Sequence, residues 1–261
     1  MAHLYNNFNI KTRHKSSIIL IGNFDGLHLG HQKLFTLAKE YKKKYSLKIG
    51  VLTFEPMPKM YFNKKFKNFR ISNQQQKISL LNEFHVDFVI TKKFDKEFSK
   101  TKSIDFIKKI LVKKLNAKFI FVSNNFRFGN KREGDVRQLI KYESIFNYKI
   151  IKPKPLLIKK KIVSSSLIRS YLQKGKLDKA NNFLNRRWSI KGKVQKGKQL
   201  GKKIGFPTAN IDIKNYVLSC PGVYAVKVRT KKSSKYINGI ANLGYRPTFN
   251  GKKILLEVHL F

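Results

Sequence analysis

The chain has 261 residues, of which 41% are apolar and 13% aromatic, which excludes an intrinsically disordered chain and suits one large domain or two of ordinary size. No apolar run reaches the ~18 residues of a membrane span, and no apolar signal core precedes the basic N-terminal stretch. The single cysteine, Cys220, excludes a disulfide framework. We therefore expect a cytoplasmic protein without membrane contact. Lys and Arg outnumber Asp and Glu by 57 to 14, a net charge of +43 that attracts anions. The excess is mostly lysine spread along the whole chain, which favours compositional drift over a specific nucleic-acid partner.

Strand and helix patterns alternate in the first part of the chain. Strands are predicted at 17–21, 48–53, 86–91, 118–123 and 148–152. Helices are predicted at 31–45, 73–84, 103–115 and 134–146, with Ser72 as the N-cap of the second, and two short helices follow at 164–173 and 177–184. The alternation predicts a doubly wound α/β domain, in which a parallel sheet is covered by helices on both faces.

The pattern changes after about residue 186. β-like runs lie at 188–195, 222–229, 235–242 and 254–260, with no long helix between them. We therefore predict a separate antiparallel β-barrel domain over 186–261, following an α/β domain over 1–185.

A glycine-rich turn, GNFDGLHLGH at 22–31, lies between the first strand and the first helix. Ligands bind at this position in open α/β sheets, and free N–H groups at a helix start favour phosphate. His28 and His31 are three residues apart, so both can face one ligand. The residues alone leave open a tight turn capped by Asp25 with incidental histidines. The two histidines could also bind zinc, but no third ligand of a suitable type lies nearby in the sequence.

The HxGH element of this turn resembles the signature of the nucleotidyltransferase superfamily. Six further stretches, in the same order and spacing, resemble the bacterial bifunctional riboflavin kinase/FAD synthetase family. They are LTFEPMP at 52–58, followed by Tyr61 and Phe62; NNFRFG at 124–129, continued by REGD at 132–135; VSSSLIR at 163–169; GFPTAN at 205–210, with PGVY at 221–224; NLGYRPTF at 242–249; and LEVHL at 256–260. Met57, Ser123 and Ser166 depart from the usual residues of that family.

The resemblance implies that the first domain transfers AMP from magnesium-ATP to FMN, giving FAD and pyrophosphate. It implies catalytic roles for His28, His31, Asn125 and Arg169, and ATP contacts for Gly22, Asn23, Phe24, Gly30, Ser164, Ser165 and Ser166. Phe62 and Phe128 are candidates to stack on the flavin. From the residues alone, both aromatics could equally belong to the core, and capping a helix could equally be the sole role of Ser164–Ser166.

For the second domain, the resemblance implies phosphorylation of riboflavin. Thr208 and Asn210 would contact Mg²⁺ and ATP, and Glu257 would be the general base. The alternative for Glu257 is an outward strand residue paired with a lysine. The family continues beyond its EVHL element, so we expect a truncated barrel with weak or absent kinase activity.

Two other functions remain open from the sequence. One is a related nucleotidyltransferase with another phosphorylated acceptor, and the other is a basic nucleic-acid-binding protein. The expected partners are the small molecules ATP, FMN and riboflavin, and the oligomeric state is left undetermined.

Overall fold

The computed structural model describes residues 1–63, 66, 68–195, 205–230, 233, 235–248 and 251–261, without the side chains of 246–248 and 251–253. Phe249, the last residue of the NLGYRPTF stretch, lies outside the described residues.

The secondary structure of the described residues begins with a short strand and then alternates strands and helices. The strands are β1 His3–Tyr5, β2 Ile18–Ile21, β3 Ile49–Glu55, β4 Phe88–Lys93, β5 Phe119–Phe121, β6 Arg127–Phe128, β7 Gly134–Asp135, β8 Lys149–Ile151, β9 Leu157–Ile158, β10 Lys161–Ile162, β11 Val194–Gln195, β12 Ala209–Ile211, β13 Gly222–Val228, β14 Ile237–Thr248 and β15 Gly251–Leu260. The α-helices are α1 Leu29–Tyr45, α2 Pro58–Phe62, α3 Gln74–Glu83, α4 Lys96–Ser99, α5 Ser103–Asp105, α6 Val136–Lys141, α7 Glu143–Phe146, α8 Ser165–Gln173 and α9 Leu177–Leu184. A π-helix spans Phe106–Lys114, and 3₁₀ turns lie at Thr12–His14 and Asn130–Arg132.

Six strands form a parallel sheet in the order β1-β4-β3-β2-β5-β8. All four residues of β2 are buried, as expected for a central strand with both faces covered. Phe35 of α1 and Leu81 of α3 pack on one face of the sheet. Leu111 of the π-helix and Leu139 of α6 pack on the other. The predicted doubly wound domain is confirmed.

Two predicted helices have a different course in the structure. The helix predicted at 103–115 is a turn of α-helix followed by the π-helix. Its apolar residues recur at intervals of one, three and four, a pattern that fits either winding. The helix predicted at 134–146 starts after Asp135, whose side chain accepts a hydrogen bond from Gln138 N at 3.0 Å, and it is divided into α6 and α7.

The predicted N-cap of α3 is wrong by one residue. Asn73 caps the helix, because its side chain accepts from Gln76 N at 2.9 Å while Gln76 Oε1 accepts from Asn73 N at 3.0 Å. Ser72 Oγ instead accepts a hydrogen bond from Gly26 N at 3.2 Å. The side chain that we expected to cap a helix therefore tethers the glycine-rich turn.

The second domain contains an antiparallel sheet in the order β11-β12-β15-β14-β13. Ala241, Leu243 and Val258 are buried on one face of this sheet. The predicted antiparallel domain is confirmed. In the described residues β11 and β13 are the outer strands, so closure into a barrel stays a prediction.

The strand predicted at 188–195 is paired only over β11. The preceding residues use their backbone groups for contacts with other segments. Trp188 N donates to Asn181 Oδ1 at 2.6 Å. Ser189 O accepts from Gln76 Nε2 at 3.0 Å, and Lys191 O accepts from Asn73 Nδ2 at the same distance. This segment therefore links the two domains instead of extending the sheet. In the part of the chain that the structure describes, no helix is long and apolar enough to cross a membrane.

Candidate active site

The glycine-rich turn leaves the carboxyl end of β2 and enters α1. Gly26 has a φ of +79°, and a Cβ there would lie 2.9 Å from Ile71 Cγ2, so both conformation and space favour glycine. Phe24 and Leu27 also have positive φ, at 47° and 34°. Backbone in such sparsely populated regions clusters at functional sites, where the surrounding structure holds it.

His28 and His31 stack on one another at the start of α1, with ring centroids 3.7 Å apart and planes 20° from parallel. His28 is the N-cap, and its Nδ1 accepts from His31 N at 3.4 Å. His31 Nδ1 is buried without a hydrogen-bond partner among the described residues. The predicted pair is therefore brought together, and His28 takes the capping role that we had considered for Asp25.

Both imidazoles are neutral at neutral pH. Burial, and then the charges of Arg169 and Arg186, lower the pKa of His28 to about 4. Burial, and then His28 and Lys77, lower the pKa of His31 well below its usual value. Each neutral ring has one N–H donor and one acceptor nitrogen and carries no permanent charge.

Asp25 connects three segments around the turn. Its carboxylate accepts from Ile71 N at 3.0 Å, from Ser72 N at 3.2 Å and from Arg169 Nη2 at 2.6 Å. Its backbone oxygen accepts from Ser165 Oγ at 2.9 Å. The Asp25 side chain is 2% exposed, so this ion pair is buried.

Arg169 is held from several sides. Its Nε donates to Phe69 O at 2.7 Å, and its guanidinium lies 3.6 Å from the centroid of the Phe69 ring. Burial lowers the pKa of Arg169, an effect that Asp25 opposes. The structure thus anchors Arg169 to Asp25 and Phe69, and the catalytic role that the resemblance implies for Arg169 stays a prediction.

The serines before Arg169 combine capping with contacts to the turn. Ser164 caps α8 by accepting from Leu167 N at 3.2 Å, which confirms the capping interpretation. Ser165 bonds to Asp25, and Ser166 is exposed. Gly30 is close to this segment, because a Cβ there would lie 3.3 Å from Val163 O. ATP contacts of these residues stay a prediction.

Three charged residues at the site were missed in the sequence analysis. Arg186 donates to Gly26 O at 2.6 Å and to Leu184 O at 3.1 Å. Lys77 is 1% exposed and donates to Thr53 Oγ1 at 3.3 Å; burial, opposed by Asp25 and then Glu55, lowers its pKa to about 8. Asp25 was considered only as a cap. Among so many lysines and arginines, no pattern in the sequence distinguishes Lys77 or Arg186.

The predicted aromatic and ATP-site residues separate by burial. Phe128 is 7% exposed and packs against Phe106 and Phe126, so the core alternative is correct for it. Phe24 is 2% exposed and packs against Phe35, so its side chain is part of the core as well. Phe62 is 66% exposed.

The polar candidates near the sheet edge are accessible. Asn125 is exposed in the turn after β5, and its Oδ1 accepts from Ser123 Oγ at 2.9 Å. Asn23 is exposed at the end of β2, next to partly buried Gly22. Because β2 and β5 are neighbouring parallel strands, Asn125 and Asn23 emerge at the same edge of the sheet. Met57, in contrast, is 1% exposed and belongs to the interior.

In the antiparallel domain, strand register brings the predicted polar residues together. Glu257 of β15 is paired with Asn210 of β12 on one side and with Asn242 of β14 on the other. Directly paired residues share a face of a sheet, and Thr208 lies two residues before Asn210, just ahead of β12. His259 Nδ1 donates to Pro207 O at 2.8 Å, which holds the segment with Thr208 beside β15.

Comparisons with known proteins match both domains. The family model described as FAD synthetase matches residues 10–167, and the one described as riboflavin kinase matches residues 184–261. A bifunctional riboflavin kinase/FMN adenylyltransferase of Buchnera aphidicola subsp. Schizaphis graminum is 41% identical over 97% of this chain and 82% of its own length. The protein of the same description from Escherichia coli K12 is 37% identical over 93% of this chain and 77% of its own length.

A solved structure also shares the architecture. The crystal structure described as a macrolide-efflux protein from Streptococcus pneumoniae superposes with a TM-score of 0.86 at 28% identity, covering 100% of this chain and 84% of that one. The match extends over both domains.

Proposed function

The chain belongs to the family of bifunctional riboflavin kinase/FMN adenylyltransferases, and we propose how its residues divide that chemistry. In the parallel-sheet domain, an FMN phosphate oxygen attacks the α-phosphorus of ATP, the bond to the β-phosphate oxygen breaks, and FAD and pyrophosphate result. In the antiparallel domain, the hydroxyl of riboflavin takes the γ-phosphoryl group of ATP, giving FMN and ADP.

The observation that carries the adenylyl-transfer site is the neutral pair His28 and His31 at the N-terminus of α1. FMN brings its own nucleophile, so the protein needs only to position the two phosphates in line and neutralise charge. Imidazole N–H groups and the first N–H groups of α1 are suited to bind the ATP phosphates as charge moves to pyrophosphate. The neutral rings add no permanent charge that would hold the product.

On the other side of the turn, we assign Arg169, Ser165 and Ser166 to the ATP phosphates. The ion pair with Asp25 uses one N–H of Arg169, and Phe69 O uses another, out of five. Anchored in this way, the guanidinium presents its other donors with little loss of side-chain entropy. Ser164 supports this arrangement by capping α8.

For the substrates themselves, we assign backbone contacts with ATP to Gly22, Asn23, Phe24 and Gly30. Asn125 orients the FMN phosphate from the neighbouring strand end. Exposed Phe62 is the aromatic suited to stack on the flavin, since Phe128 is committed to the core.

For riboflavin phosphorylation, we assign Glu257 as the general base on the riboflavin hydroxyl. The register that aligns it with Asn210 and Asn242 supports this role. Thr208 and Asn210 offer a hydroxyl and an amide oxygen, which are hard donors that fit Mg²⁺ together with the phosphates of ATP. When bound, Mg²⁺ supplies neutralisation of phosphate charge.

The test is chromatography of flavins after incubation with magnesium-ATP and either FMN or riboflavin. The chain should form FAD from FMN, and FMN followed by FAD from riboflavin. Loss of phosphate contacts costs on the order of 3 kcal/mol at the transition state, so His28→Ala should form FAD about a hundredfold more slowly. Glu257→Gln is the matched control, since it should stop phosphorylation of riboflavin and leave FAD formation from FMN intact.

Different results reject different parts of the proposal. Absence of FAD in the FMN reaction would reject adenylyl transfer to FMN, and other phosphorylated acceptors would be tested next. An unchanged rate for His28→Ala would reject only the assigned role of His28. Robust conversion of riboflavin to FMN would contradict the weak or absent kinase activity that we expect from the sequence alone.

A further inference from the structure

We propose that residues 69–72, which we name the strap, form a positioning element of the adenylyl-transfer site, and that the antiparallel domain holds this element in place through Trp188. The inference rests on the proposed function of the parallel-sheet domain. It adds a positioning residue from the second domain to the site in the first.

One side of the strap is bonded to the site. Asp25 accepts from the backbone N–H groups of Ile71 and Ser72, and Ser72 Oγ accepts from Gly26 N. Arg169 donates to Phe69 O and lies over the Phe69 ring. The strap thus contacts both members of the buried ion pair and the glycine-rich turn.

The other side of the strap is bonded to the second domain. Asn215 O accepts from Phe69 N at 3.0 Å and from Arg70 N at 2.8 Å, and Val217 N donates to Arg70 O at 2.8 Å. The indole Nε1 of Trp188 donates to Ile71 O at 2.9 Å. The strap is therefore an added backbone pairing between the two domains.

Ile71 is where the two sides meet. Its N–H is bonded to Asp25 and its C=O to Trp188, so a shift of this residue changes both contacts. Ile71 is 1% exposed and packs against Gly26 so closely that a Cβ on that glycine would clash. A displacement of Ile71 would therefore move Asp25 and the turn, and with them the guanidinium of Arg169.

The variant that tests this is Trp188→Phe, which keeps an aromatic ring and removes the N–H donor to Ile71. The matched control is Ser189→Ala. It removes another hydrogen bond between the domains, from Gln76 Nε2 to Ser189 Oγ at 3.1 Å, which does not involve the strap. We expect kcat for FAD formation from FMN to fall about fivefold in Trp188→Phe, within the range of coupling effects transmitted through packed networks. Its KM values for ATP and FMN should change less than kcat, and Ser189→Ala should match the wild type.

A double variant distinguishes positioning from general loosening. If the strap acts through Asp25, adding Trp188→Phe to Asp25→Asn should lower kcat no further. Equal losses in Trp188→Phe and Ser189→Ala, or additive losses in the double variant, would overturn the inference.

A second measurement separates this inference from the proposed function. In hydrogen exchange of the intact chain, Trp188→Phe should speed exchange at the amides of Ile71 and Ser72, and Ser189→Ala should not. Unchanged exchange at both amides would overturn the inference even if the chain makes FAD. Faster exchange in a chain that makes no FAD would support the mechanical link and reject the proposed activity.

Discussion

Replacing Asp25 by asparagine should destabilise the parallel-sheet domain by about 3 kcal/mol, the lower end of the cost of breaking a buried ion pair. The Asp25 and Arg169 side chains are 2% and 11% exposed, and their closest atoms are 2.6 Å apart. Asparagine retains the shape and an acceptor for the N–H of Ile71, but it leaves the guanidinium without a negative partner. The cost stays at the lower end because Arg169 keeps its bond to Phe69 O and its contact with the Phe69 ring.

A second substitution isolates the charge contribution. Arg169→Met removes the stranded cation and keeps an unbranched chain of similar length. Asp25→Asn/Arg169→Met should therefore be more stable than the sum of the two single losses predicts. The interaction free energy should be at least about 1 kcal/mol, within the range for residues in direct contact.

The assay is urea unfolding at neutral pH, followed by far-ultraviolet circular dichroism for the wild type, both single variants and the double variant. Equal m-values would show that the free energies of unfolding are comparable. A loss below about 1 kcal/mol for Asp25→Asn, the range of exposed ion pairs, or strict additivity in the double variant, would refute the reasoning that burial makes this pair essential to the turn.

Four further substitutions have distinct expected results. Phe128→Ala should lower the free energy of unfolding by about 3 kcal/mol, as for other buried aromatics, and denaturant unfolding measures this loss. Phe62→Ala should leave the free energy of unfolding unchanged and raise the KM for FMN, which the kinetics of FAD synthesis measure. Asn73→Ala should cost about 1 kcal/mol through loss of the α3 cap, seen as a lower melting temperature, and an unchanged value would contradict the capping box. Burial lowers the pKa of His28 to about 4, so the stability that depends on a neutral His28 is fully present above the unfolded-state pKa of 6.5 and is lost as the pH falls toward 4. In urea unfolding, the free energy of unfolding should decline less between pH 6.5 and pH 4 for His28→Gln than for the wild type. Equal declines in the two proteins would refute the lowered pKa of His28.

Much of the architecture follows from local patterns. Alternation of apolar strands with amphipathic helices predicted the parallel sheet, since both periods are properties of neighbouring residues. The loss of helical patterns after about residue 186 predicted the antiparallel domain. A motif with fixed spacing pointed to His28 and His31 as candidate site residues at the start of a helix, because the helix start that follows a strand is a local feature.

What local patterns did not decide were contacts and burial. Phe62 and Phe128 fit the same motif-level interpretation, yet one is exposed and the other is in the core. Burial depends on which elements pack over a residue, and no local period records that. The same limit explains why Ser72, a good capping residue by type, bonds to the glycine-rich turn instead of capping α3.

The sequence by itself therefore determined the two fold classes, the family resemblance and the position of the glycine-rich turn. Only the tertiary structure decided how that turn is held. Asp25 and Arg169 are 144 residues apart in the chain, and Trp188 is 117 residues from Ile71. In the folded chain the pair and the strap meet because the sheet, α8 and the second domain converge on one edge. The physical reason is that hydrogen bonds and ion pairs act over a few ångströms in space, whereas sequence patterns describe neighbours along the chain.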